Sequence, residues 1–272
     1  TPKPSSAASD VYKRQLLVLA AIALAAPWLA TVDPQDINPM ARMKPPSTEH
    51  FFGTDALGRD VYSRTVWGAR VSLLVGIVVA VVSTVAGVML GMLAGYFRRV
   101  DALIMRIMDG LMAIPGVLLA IALMATLKGG LGTVIIAIVI PEVPRVVRLV
   151  RALVLTIREQ PYIEAAVSVG TRVPSILLRH ILPNLFAPLM VQATFIAASA
   201  ILTEAVLSFL GVGIPPQIPS WGNIMAEGRN FVAVAFHIIL YPGLFLGVAV
   251  LAVNLVGDGL RDMLDPRLAK KL

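Results

Sequence analysis

The ionisable and hydroxyl residues set within the apolar runs of this chain are few, and their types and spacing limit what they can do. Arg106 and Asp109 stand three apart, as do Glu142 and Arg145, a spacing at which opposite charges pair on one helix face. Glu204 has no basic residue near it in sequence. Hydrolysis inside a bilayer would need a Ser and a His within hydrogen-bond reach. Ser199, Ser208 and His237 supply the residue types, but no G-x-S-x-G element accompanies them and H-E-x-x-H is absent. No Cys occurs, which excludes thiol nucleophiles, disulfides and Cys-based metal sites, and there is no G-x-x-x-x-G-K-[ST] loop to cradle phosphates. What remains is Glu164-Ala165-Ala166 followed by Gly170, His180, Leu182 and Pro183. The two alanines leave a low helix face that another protein can approach, Gly170 permits a reversal without a Cβ penalty, and Glu164 offers an acceptor. This is equipment for docking, or for a helix-turn-helix lying on lipid headgroups.

The elements that carry these residues are transmembrane helices. Hydrophobic residues make up 57% of the 272 and charged residues 14%, against about 25% charge in an ordinary soluble domain, so a water-soluble globule is excluded. A helix needs about 20 apolar residues to cross the hydrocarbon. Six segments fit: residues 16–32, 71–97, 102–127, 131–153, 185–210 and 236–256. The fourth is interrupted by Pro141, Glu142, Pro144 and Arg145. No strand alternation competes, so the fold class is an all-α membrane protein with six transmembrane helices. With even-numbered loops and both termini on one side, fifteen Lys and Arg lie there against seven on the other. That asymmetry makes the richer side cytoplasmic. The formal charge of +7 fits anionic lipid and calls for no nucleic acid.

Within the second span Ser83, Gly87, Gly91 and Gly95 recur every four residues, a small-residue stripe that lets helices pack closely in lipid. Its neighbour lies either in this chain or in another subunit. Pro115-Gly116 and the Pro141/Pro144 pair mark kinks. Outside the spans, residues 33–70 form an external segment in which 57–68 suits an interfacial helix. Residues 158–184 form an inner loop that reads as helix, break, helix: Pro161 opens the first helix, Gly170 caps it, and Pro183 stops the second. Residues 1–15 (TPKPSSAASDVYKRQ) read as a non-native or disordered leader.

The inner loop resembles the EAA loop of the membrane subunits of ATP-binding-cassette importers, E-A-A-x3-G-x9-I-x-L-P, with His180 standing where the general pattern has Ile. His followed by Ile-Leu-Pro-Asn is similar to the dipeptide/oligopeptide/nickel class. Three further stretches resemble that class: residues 50–55 with Gly58-Arg59-Asp60 and Ser63-Arg64; residues 207–211 with Pro215-Pro216 and Pro219-Ser220-Trp221-Gly222; and Asn254, Gly257-Asp258, Leu260-Arg261-Asp262 and Leu264-Asp265-Pro266-Arg267.

The resemblance implies a first span with its external segment (16–69), a permease core (70–272), and a coupling helix within 158–184. Glu164, Ala165, Ala166, Gly170, His180, Leu182 and Pro183 would face a cytoplasmic ATPase. It also implies a bacterial or archaeal plasma membrane location, a second homologous permease, two ATPases that hold ATP and Mg, and an extracytoplasmic binding protein. No cofactor is expected on this chain, which would itself be no enzyme. Asp109 and Glu204 are candidates for the substrate path. Arg106 with Asp109 either braces the bundle or lines that path, Glu142 with Arg145 anchors the loops, and Glu204 contacts substrate or the opposite subunit. An ATPase-independent secondary transporter or channel is the alternative, and it predicts activity without any ATPase.

Overall fold

The computed structural model describes residues 6–264 apart from 128, with side chains from 17 to 263. Helix α1 (Ser6–Leu29) is followed by a segment of turns with one 3-10 turn at Pro39–Ala41, and α2 (Val61–Tyr96) then runs for 36 residues. Next come α3 (Arg98–Met112), α4 (Gly116–Thr126) and α5 (Leu131–Ile157), the last of 27 residues. The short α6 (Pro161–Ser168) and the single turn α7 (Val173–Ser175) lead through a π-helical stretch (Ile176–Ile181) into α8 (Leu182–Phe209). The chain ends with α9 (Trp221–Gly228) and α10 (His237–Leu264). Among the described residues there is no β-strand, only an isolated bridge between Thr54 and Asp60.

Helix α2 is the centre of the bundle, packed by α5, α8 and α1, while α10 lies against α8 and α1. Its small stripe is the reason for the closest of these contacts. Gly87, Gly91 and Gly95 face Val146, Val150 and Val154, which recur at the same interval on α5. A Cβ at Gly91 would lie 2.6 Å from Val150 Cβ, and one at Gly95 would lie 2.6 Å from Val154 Cβ. The stripe therefore meets a neighbour in its own chain.

Among the described residues, three continuous helices are long and apolar enough to cross a membrane: Val61–Tyr96, Val173–Phe209 and His237–Met263. The segment 102–127, expected as one span, is instead two helices bent by 89°. Pro115 has no N–H to give and holds ψ at 128°, so α3 ends before it and α4 starts after it. The proline pair at 141 and 144 has a milder outcome, for both lie inside a continuous α5.

One further expectation changes. No separate interfacial helix forms at 57–68; the Asp60 side chain accepts from Ser63 N at 2.7 Å and caps a helix that runs unbroken from Val61. Of the proposed leader, residues 1–5 lie outside the described residues, and from Ser6 the backbone is already helical and continuous with the apolar part of α1.

The N-terminal end of α2 is held by charges. Arg59 bonds Asp55 at 2.7 Å and also Glu227 of α9, and Arg64 reaches Glu227 at 3.1 Å. Burial pushes the Glu227 carboxyl above the ordinary carboxylate range, an effect that Arg64 and Arg59 partly offset. Beside this cluster the fully buried Trp221 donates its indole N–H to Thr65 O at 3.0 Å.

Candidate functional site

The inner loop folds into a small platform on the end of the bundle. Pro161 sits in the first turn of α6, where a missing N–H costs nothing. At the other end Gly170 adopts φ +78°. Thr171 N–H donates to Ala166 O at 3.0 Å and Gly170 N–H to Val167 O at 2.9 Å, the two crossed bonds of a Schellman cap. Ile163 is buried and joins Ile176, Ile181 and Leu185 in the core, so one side chain pins the platform to the base of α8. The opposite face is free: Glu164 and Ala165 are exposed, Ala166 is half-buried, and Tyr162, Val167 and Val169 add exposed apolar surface. Val169 is 81% exposed. Among the described residues the Glu164 carboxylate has no ion-pair partner.

Pro183, expected to stop a helix, instead stands in the first turn of α8. The preceding π-turn makes this possible. Leu182 N–H donates to Leu177 O, one residue further back than an α-helix would use. The carbonyl of His180 accepts from the Asn184 side chain at 2.6 Å. His180 is half-buried, Leu182 likewise, and Pro183 is exposed. Glu164, Ala165 and Gly170 thus share the free platform, while His180, Leu182 and Pro183 form the joint beneath it. Tyr162, Val167 and Val169 were missing from the sequence reading, because exposure of one helix face depends on which residue, here Ile163, turns inward.

The charged candidates resolve into a ladder. Asp109 does not pair with Arg106; it accepts from Arg148 of α5 at 2.7 Å, and Asp101 bonds Arg151 at 2.6 Å. The bend after α3 lays that helix across α5, which makes cross-helix partners nearer than the neighbour on the same helix. Glu142 and Arg145 do pair, at 3.3 Å. Glu204 has the opposite fate from an open path residue. It is 0% exposed, and Ser208 and Ser220 donate to one of its oxygens at 2.8 Å while Ser72 donates to the other at 3.3 Å. Three serines of this chain thus satisfy the buried carboxylate. Ser208 and Ser199 are hydrogen-bond donors to carboxylates, and His237 Nε2 lies 3.1 Å from Thr54 O. None of the three meets another as a nucleophile and base would.

A family model described as "binding-protein-dependent transport system inner membrane component" matches residues 87–270. The chain is 56% identical over 246 residues to a probable peptide ABC transporter permease of Sinorhizobium fredii, covering 90% of this chain and 84% of that protein. It is 44% identical over 248 residues to a dipeptide transport system permease of Alkalihalophilus pseudofirmus, covering 91% and 82%. It is also 42% identical over 255 residues to a glutathione transport system permease of Pectobacterium atrosepticum, covering 93% and 85%. Among solved structures it is similar in fold to the inward-facing MetNI methionine ABC transporter, with a TM-score of 0.56 at 18% identity over 75% of this chain and 94% of that one. The chain belongs to the family of binding-protein-dependent transport system inner membrane components and is a permease subunit of an ABC transporter.

Proposed function

We propose that this permease takes up peptides or a related small solute across a bacterial or archaeal plasma membrane. Relatives named for peptide, dipeptide and glutathione transport support that substrate class. In this reading α1, α2, the bent α3–α4 pair, α5, α8 and α10 make six crossings with both termini in the cytoplasm. A second homologous permease completes the pathway, an extracytoplasmic binding protein delivers the solute, and two ATPases holding ATP and Mg drive the cycle. This chain performs no bond chemistry. It transmits motion: ATPase closure pushes the α6 platform, and the bundle exchanges inward-open for outward-open forms. The ladder from the exposed Arg145 and Arg148–Asp109 to the half-buried Arg151–Asp101 lines the inner half of the path.

The platform carries the reading, since an apolar helix face anchored by Ile163 and left uncovered needs a protein to cover it. The test is Gly170→Val in the reconstituted importer. A Cβ there meets nothing within 4 Å, so the expected cost is chiefly the backbone strain of a left-handed residue, about 1–2 kcal/mol or more for a β-branched side chain, and membrane insertion is checked alongside. ATP hydrolysis should continue while solute uptake falls at least about tenfold. Undiminished uptake would count against the platform as the coupling element.

A further inference from the structure

Half-way along α5 the structure assigns a carboxylate-binding site. Resting on the peptide reading above, we propose that Arg145 receives a peptide carboxylate, its C-terminal one in the first instance, during passage. Glu142 lies about 17 Å from the start of α5 and Arg145 about 18 Å from its end, at 1.5 Å per residue. In the six-crossing reading above, this is the depth at which charge is most costly in lipid. Yet the Arg145 side chain is 58% exposed, whereas that of Glu142 is 8% exposed. A guanidinium so placed must face a water-filled space or another protein, not acyl chains.

A space is present. A cavity of about 120 Å³ opens between α4, α5 and α8, lined by Glu142, Arg145, Ser199, Thr203, Gly116 and Pro141. Its wall carries one carboxylate, Glu142, and one guanidinium, Arg145, so an incoming anion must be met by Arg145 on the side away from Glu142. Glu142 is held by Ser199 at 3.1 Å and touches Arg145 only through Nη1, at 3.3–3.4 Å. That contact is long for a charge-assisted bond, and it leaves Nη2 and Nε of the guanidinium to grip a carboxylate with two parallel bonds. Glu142 is then a positioning residue that aims the guanidinium. The uncapped first turn of α4, with Gly116 and Val117 on the cavity wall, adds a field of the same preference. The volume suits a carboxylate with its adjoining carbon, not a whole peptide.

The experiment uses the complete importer in proteoliposomes, its binding protein saturated in turn with a pool of di-, tri- and tetraalanine and with the same pool amidated at the C-terminus. The readout is the ratio of acid to amide uptake. In Arg145→Ala that ratio should fall about tenfold, with partial recovery in Arg145→Lys. A third pool, amidated but bearing a Glu side chain, separates the two sources of carboxylate: dependence on Arg145 there extends the site to side chains, and independence confines it to the terminus. An unchanged acid-to-amide ratio overturns the proposal and leaves Arg145 to a contact between subunits. If the substitutions prevent assembly, photo-cross-linking from a peptide C-terminus in the wild-type importer decides, and labels away from α4, α5 and α8 overturn it. Wild-type importer that takes up no pool at all refutes the peptide reading itself.

Discussion

A carboxyl group with no exposed atom, set in an apolar helix, survives only if its oxygens are satisfied, and Glu204 satisfies them with three serines. Ser72 belongs to α2, Ser208 to α8 itself, and Ser220 caps α9, so one acceptor holds three elements together. Glu204→Ala strands three hydroxyls and should cost about 3 kcal/mol or more in detergent unfolding. Glu204→Gln keeps an acceptor and should cost about 1–2 kcal/mol. Equal losses for the two would deny the serine network its importance. The sequence showed Glu204 as an intramembrane acid without a nearby base. It could not show the hydroxyls, because Ser72 lies 132 residues away and serine in an apolar run carries no signal of its partner.

At the level of whole helices, the α2–α5 seam depends on the absence of side chains. Gly91→Ala forces a methyl to 2.6 Å from Val150 Cβ and 3.0 Å from Val147 O. The helices must part, at about 1–3 kcal/mol. Val150→Ala in the same chain should restore part of that loss, and a thermal-unfolding cycle on the two single variants and the double variant measures the coupling. Purely additive effects would place the clash elsewhere. The stripe itself was legible because its period of four is unusual; its partner was not, since Val146, Val150 and Val154 look no different from lipid-facing valines. Proline signals were legible in position but not in consequence. Pro115 turns the chain through 89°, Pro141 and Pro144 remain inside a helix, and Pro183 opens one. What separates these cases is how the surroundings accommodate the carbonyl that each proline leaves without a donor, which the local sequence does not record. Gly170 behaved as its residue type demands, because a left-handed cap is a local requirement.

Taken whole, the molecule offers a direct check of its proposed topology, because it has no native Cys to confuse labelling. Glu49→Cys and Val169→Cys place single thiols on exposed positions in the external segment and on the platform. In intact cells a membrane-impermeant maleimide should label the first, and should reach the second only after permeabilisation. Labelling of both from outside would reverse the orientation. The same geometry has a mechanical side. Helix α2, about 54 Å long, starts among the outer arginines and acids, and near its other end the carbonyl of Gly95 accepts from Arg158 at 3.0 Å, just before α6. It is a strut fastened top and bottom. On the coupling proposed above, a helix tied at both ends would carry a push on the platform through to the Arg64–Glu227 end.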